Sequence, residues 1–170
     1  MSPLKRIIFT GLTIGLACYY FYSHISEQNC CEIVSEIAKD NGIILFKVCS
    51  NPDRVSILEN NLSDFALHEQ LSVHFQKITQ AFYKFKPGEI RYFNRNSNKL
   101  QASKIVPNCN SRNDFIYKIS VPIVSPDQQT VLLKITQDCN CMLGGQGETS
   151  LYRKVNGKWK VVKYFDRWIS

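Results

Sequence analysis

The sequence predicts an α+β fold in which helices come first and an antiparallel β-meander comes last. Three observations predict it. Apolar residues recur at helical spacing between residues 31 and 82. Beyond the Lys86-Pro87-Gly88-Glu89 stop signal the apolar period changes to two, which is typical of strands. The length of 170 residues and the 44% content of hydrophobic residues suit a single globular domain over residues 27–170.

The first predicted helix covers residues 31–39, where apolar side chains at positions 33, 34, 37 and 38 form an amphipathic pattern. The following Asn41-Gly42 predicts a helix end in the left-handed conformation. Residues 43–49, IILFKVC, then predict a buried strand. Asn51-Pro52-Asp53 predicts a turn directly after this strand.

The longest predicted helix begins at Ser63 or Asp64, either of which can cap it. One continuous apolar stripe runs along it at spacings of three and four: Leu67, Leu71, Phe75, Ile78 and Phe82. We expect this stripe to be buried against a curved sheet. Cystatin-like and NTF2-like folds have that layout, with amphipathic helices packed on an antiparallel meander.

Six candidate strands follow the helices. They cover residues 89–94, 100–106, 115–124, 130–139, 149–155 and 159–165. Asn156-Gly157 predicts a tight type I′ hairpin between the last two. Residues 144–147, Gly-Gly-Gln-Gly, predict a hairpin turn rather than a phosphate-binding loop, because no Lys-Ser/Thr pair follows them.

Residues 1–26 predict a membrane anchor or signal segment. Lys5 and Arg6 precede residues 7–25, a hydrophobic stretch of 19 residues without formal charge. As a helix it would measure about 28 Å, close to the thickness of a hydrocarbon core. The positive flank is expected in the cytoplasm, so the body would lie outside it, held to the membrane through residues 7–25.

Two other readings of the same segment predict export without a spanning helix. A secretory signal peptide would use residues 7–17 as its apolar region and be cleaved near Ala17. A bacterial lipoprotein signal would instead be cleaved before Cys18, which would be lipidated. A buried hydrophobic helix within the fold is the alternative to export.

Six of the seven cysteines lie in the body of the chain, and an even number suits disulfides in an oxidising compartment. The candidates are Cys30, Cys31, Cys49, Cys109, Cys139 and Cys141. Their pairing is open, and buried thiols are the alternative. A zinc site would normally use C-x₂₋₄-C spacing, which the Cys-Asn-Cys at 139–141 does not provide, so no metal is expected.

A basic surface is predicted on the last hairpin. Residues 150–170 hold six basic residues against Asp166, whereas residues 27–149 have no net charge. Lys158 and Lys160 share one face of a strand, and Arg153 lies on the neighbouring strand. An acidic protein or an anionic lipid could bind there. Edge-strand lysines that prevent aggregation are the alternative, and nucleic acid is not expected.

No catalytic or cofactor-binding residues are predicted. His68-Glu69 begins like a zinc-protease helix, but Ser72 stands where the second histidine would be required. No G-x-S-x-G elbow is present. The sequence therefore predicts a binding protein. The alternatives are an envelope immunity or inhibitor protein and an enzyme with an unrecognised pocket.

The last third of the chain carries four features in order: the segment Ile119-Ser120-Val121-Pro122-Ile123-Val124-Ser125, a Cys/Gly-rich turn at residues 139–147, the hairpin segment Val155-Asn156-Gly157-Lys158-Trp159-Lys160, and Trp168-Ile169-Ser170. Over residues 115–170 the chain resembles small uncharacterised exported proteins and lipoproteins of bacteria. The resemblance implies a domain outside the cytoplasm, at the inner membrane or as an envelope lipoprotein. It implies no activity.

Overall fold

The computed structural model describes residues 10–15, 25–53, 55, 73, 74, 76, 83–107, 109, 115–138 and 144–169. They form an α+β fold, as predicted. Helix α1 is Glu27–Asn41. The strands are β1 Lys47–Cys49, β2 Arg91–Asn94, β3 Lys99–Ala102, β4 Lys104–Val106, β5 Ile116–Ile119, β6 Ile123–Val124, β7 Thr130–Asp138, β8 Gln146–Val155 and β9 Lys158–Ile169.

Helix α1 has a side-chain cap at one end and a glycine cap at the other. The Ser26 Oγ accepts a hydrogen bond of 3.2 Å from the Asn29 backbone N–H. Gly42 adopts φ 67°, and its N–H points back to the carbonyls of Ala38 and Lys39. The predicted left-handed helix end is therefore confirmed.

The main sheet has the strand order β4-β1-β5-β7-β8-β9, and the short β6 also pairs with β7. From β5 to β9 every pairing is antiparallel. Strand β1, however, pairs in parallel with both β4 and β5, so the sheet is mixed and the predicted antiparallel meander holds only for its β5–β9 part. The periodicity of a strand shows which side chains it buries, but not which strand lies beside it.

The core lies mainly between α1 and one face of this sheet, which we call the helix face. Its largest fully buried side chains include Trp159, Tyr152, Ile37 and Leu133. A smaller cluster on the opposite face joins Val73 to Leu132. Strand β7 thus places apolar side chains on both faces of the sheet, as expected for a central strand that is covered on each side.

Several predicted elements differ in extent or lie outside the described residues. Of predicted strand 43–49 only Lys47–Cys49 is β-structure, and predicted strand 100–106 is divided at Ser103. Most of the predicted long helix, including its apolar stripe, is outside the described residues. Val73 and Gln76, which do not belong to that stripe, are helical and buried.

The predicted hydrophobic segment is described only in part. Residues 10–15 are helical and exposed. Among the described helices none is both long enough and apolar enough to span a membrane.

Candidate functional site

A cleft of about 410 Å³ opens where the sheet extends beyond the end of α1. The chain that leaves α1 at Gly42 forms one wall, and the helix face of β5, β7, β8 and β9 forms the floor. The lining residues are Gly42, Ile43, Ile44, Tyr117, Ile135, Gln137, Gln146, Gly147, Glu148, Arg167, Trp168 and Ile169.

Strand register arranges the floor of the cleft in two rows across the sheet. The outer row consists of side chains that are register partners from strand to strand: Tyr117, Gln137, Gln146 and Ile169. The inner row is built in the same way from Ile135, Glu148 and Arg167. Neighbours in a row stand close enough for their side chains to act together on one ligand.

The two glutamines of the outer row form an amide pair. The Gln146 Nε2 donates a 2.8 Å hydrogen bond to the Gln137 Oε1. The remaining half of each amide, a donor on Gln137 and an acceptor on Gln146, forms no side-chain hydrogen bond to the described residues. The pair therefore offers amide donors and acceptors side by side, which matches a peptide group or another amide.

Glu148 is fixed in the inner row by buried hydroxyl groups. Its Oε1 accepts hydrogen bonds from the Ser150 Oγ at 3.2 Å and the Tyr152 Oη at 3.4 Å. Burial, and then the charge of Glu148, raise the pKa of Tyr152 well above its ordinary value. The phenol thus stays protonated as a donor, and it orients the carboxylate at the cleft.

Arg167 is the register partner of Glu148, yet the two do not form an ion pair. The Arg167 guanidinium instead lies 5.4 Å from the centre of the Tyr164 ring. On the far side of the cleft, burial raises the pKa of Tyr117, so its phenol is neutral. The cleft thus contains one negative and one positive group, with apolar and neutral polar groups around them.

Gly145 and Gly147 leave room for the Trp168 ring at the rim of the cleft. A Cβ on Gly147 would lie 2.6 Å from the Trp168 Nε1, and one on Gly145 would lie 3.3 Å from the ring. The Trp168 ring therefore rests against bare backbone, which holds the end of β9 to β8. The predicted turn at residues 144–147 is wrong for Gln146 and Gly147, because both belong to β8.

The predicted basic residues lie together, away from the cleft. Arg153 and Lys160 are register partners, and all three predicted cations, with Lys158, are exposed at the end of the β8–β9 hairpin. Trp159 between the lysines is buried, as its alternation predicts. A register shift places Val162 outside the pairing next to Lys163, where the alternation in the sequence breaks.

Two of the six candidate cysteines form a disulfide in the described residues. Cys49 at the end of β1 is bonded to Cys109, which follows β4. Cys30 and Cys31 are buried on α1. Cys18, Cys139 and Cys141 lie outside the described residues, within which no group of three acidic, histidine or cysteine side chains could hold a metal ion.

The sequence did not identify the residues of the cleft. Gln146, Glu148, Arg167 and Ile169 lie in the parts of β8 and β9 that extend beyond the predicted strands. One signal was available: polar residues alternate from Gln146 through Glu148 and Ser150, which continues the period of the strand into the glycine-rich segment. The glycines concealed this signal because they are rare inside strands.

No protein-family model, curated protein or solved structure matches this chain.

Proposed function

We propose that the chain is a membrane-anchored domain outside the cytoplasm that binds a small amphipathic ligand and catalyses no reaction. The observation that carries this proposal is the cleft on the helix face, where polar groups with spare hydrogen-bonding capacity stand beside isoleucines. Its volume of about 410 Å³ is in the range of small-molecule sites. The curved, helix-covered sheet of a cystatin-like or NTF2-like layout would present such a surface.

The chemistry of the lining supports binding rather than catalysis. The Glu148 carboxylate is held by two hydroxyl donors, and the Tyr117 phenol is neutral because burial raises its pKa. Among the described lining residues, no nucleophile lies beside a general base. Amides, a guanidinium and a fixed carboxylate are groups that orient a ligand by hydrogen bonds.

The disulfide supports a location outside the cytoplasm. Disulfides such as Cys49–Cys109 persist in oxidising compartments and are rare in reducing ones. The basic flank at Lys5 and Arg6 gives the same orientation for the body. An anchor over residues 7–25 is the form we propose, and a lipoprotein attached through Cys18 is the alternative.

The test is a ligand-observed NMR screen of amphipathic fragments against the full chain in lipid nanodiscs. Ile44 is 43% exposed on the cleft wall, so Ile44→Trp should obstruct the cleft without disturbing the core. Val162, 47% exposed and away from the cleft, provides the control Val162→Trp. We expect fragments whose signals are lost with Ile44→Trp and kept with Val162→Trp. Equal binding to all three proteins, or binding to none, would contradict the proposal.

A second candidate is an envelope immunity or inhibitor protein that binds an acidic partner protein. The observation that favours it is the direct opposition of Arg153 and Lys160, since like charges in register destabilise a sheet unless a partner neutralises them. Expression of the chain should then relieve the toxicity encoded by a neighbouring gene. Arg153→Glu with Lys160→Glu should abolish that protection, whereas protection that survives both changes would exclude this surface.

A further inference from the structure

The charged groups of the cleft are adjacent but not paired with each other. Glu148 and Arg167 are direct register partners on β8 and β9, at the spacing where opposite charges normally attract. The Glu148 Oε1 faces two hydroxyl donors, and the Arg167 guanidinium lies against the Tyr164 ring. A ligand can therefore engage each charge without first breaking an ion pair between them.

Apolar and amide groups surround the two charged side chains, Glu148 and Arg167. Ile44 and Ile169 are 43% and 75% exposed at the cleft, where an aliphatic side chain would cover them. The Gln137–Gln146 pair presents its donor and acceptor in the row beside Glu148 and Arg167. The cleft thus combines an anion, a cation, an amide-binding pair and an aliphatic wall.

We propose that the cleft binds a small aliphatic zwitterion, either a free α-amino acid or a dipeptide whose two termini carry the two charges. The ligand's ammonium group donates to the Glu148 carboxylate, and its carboxylate accepts from the Arg167 guanidinium. The aliphatic side chain packs on Ile44 and Ile169. This inference rests on the proposed function, and it adds the class of ligand.

A series of leucine analogues tests the inference on the unaltered full chain in nanodiscs. L-leucine and leucyl-leucine have both charges, N-acetyl-leucine lacks the ammonium group, and leucinamide lacks the carboxylate. We expect calorimetric binding of leucine or leucyl-leucine, with affinity at least about tenfold weaker for both blocked analogues, because each loses a charge-assisted hydrogen bond. Whichever of L-leucine and leucyl-leucine binds with the higher affinity shows whether the cleft prefers a free amino acid or a peptide.

Matched variants test whether Glu148 and Arg167 each contact the ligand. Glu148→Gln keeps an oxygen that can accept from Ser150 and Tyr152, so it should fold while binding the zwitterion about tenfold more weakly. Arg167→Gln should have a similar effect, and Arg153→Gln, on the distant basic surface, should have none. Binding of fragments in the cleft without binding of either zwitterion would overturn this inference and leave the proposed function standing. Equal binding of the blocked analogues would also overturn it.

Discussion

Gly147 allows the end of β9 to pack closely against β8. Its missing side chain leaves the space in which the Trp168 ring rests, on the strand pair that also carries Glu148 and Arg167. A glycine inside a strand normally weakens the strand, but here it permits a close aromatic contact. The contact between the Trp168 ring and Gly147 therefore holds the end of β9 to β8.

Replacing this glycine tests the contact. Gly147→Ala would place a Cβ 2.6 Å from the Trp168 Nε1, and we expect a loss of about 1–3 kcal/mol in the free energy of unfolding, as in other overpacked sites. Urea denaturation measures it. In a Trp168→Ala background the same change should cost much less, since the clash is absent. An equal cost in both backgrounds would mean that Trp168 is not the reason for the glycine.

Glu36 connects α1 to the last hairpin through an ionised carboxylate. Its Oε2 accepts from the Trp159 Nε1 at 2.9 Å and from the Lys154 Nζ at 3.3 Å. Burial alone would raise the pKa of Glu36, but these two hydrogen bonds and the charge of Lys154 outweigh burial and lower it. The ionised form therefore contributes to the stability of the fold.

The dependence of stability on pH follows from this lowered pKa. The contribution of Glu36 is fully present above its ordinary value of 4.5 and is lost as the pH falls through the lower value of the folded state. Glu36→Gln should reduce the free energy of unfolding at pH 7, and the reduction should shrink as the pH falls below 4.5. Urea titrations across that range measure the difference. Glu32→Gln, at an exposed site on the same helix, is the control, and a Glu36→Gln effect that is constant with pH would refute the assignment.

At the scale of elements, the end of α1 closes part of the exposed edge of the sheet. The Asp40 Oδ2 accepts from the Trp159 backbone N–H at 2.8 Å, and the Asn41 Nδ2 donates to the Trp159 carbonyl at 3.2 Å. Strand β9 is the last strand in the sheet order, so these side chains occupy backbone groups that another strand could use. The helix thus protects the edge as well as the core.

Removing both side chains should promote self-association. Asp40→Ala with Asn41→Ala would leave the backbone groups of Trp159 available for pairing between molecules. Light scattering coupled to gel filtration should show dimers or larger species that increase with concentration. Lys39→Ala, exposed on the same turn, should stay like the unaltered protein. A monomeric double variant would show that the lysines and register shifts of β9 protect the edge without the helix.

Local features of the fold were predictable, and long-range pairings were not. The Gly42 helix end and the Asn156-Gly157 turn, with φ of 52° and 75°, follow from backbone preferences of the residues themselves. The position of β1 between β4 and β5 depends on contacts across more than 50 residues, which no local period encodes. The cleft escaped prediction for the same reason, since its polar residues become neighbours only through strand register.

At the scale of the whole molecule, the Cys49–Cys109 disulfide stabilises the pairing of β1 with β4, two strands that lie far apart in the sequence. It spans 60 residues and joins the end of β1 to the segment after β4, beside the parallel pairing of those strands. Cross-linking a loop of this length restricts the unfolded chain. Cys49→Ala with Cys109→Ala should therefore lower the free energy of unfolding by about 2–4 kcal/mol in urea, compared with the unaltered protein without reductant. An unchanged midpoint would show that the β1–β4 pairing needs no covalent support.

The redox state of the same bond tests where the body of the protein resides, because disulfides persist in oxidising compartments and are rare in reducing ones. Thiols of the full chain can be alkylated in intact cells before reduction and again, with a heavier reagent, after it. We expect Cys49 and Cys109 to carry only the second label in the peptide masses. The mass of the intact chain distinguishes an uncleaved anchor from an acylated chain that begins at Cys18. First-label alkylation of both cysteines would place the body in a reducing compartment and overturn the proposed export.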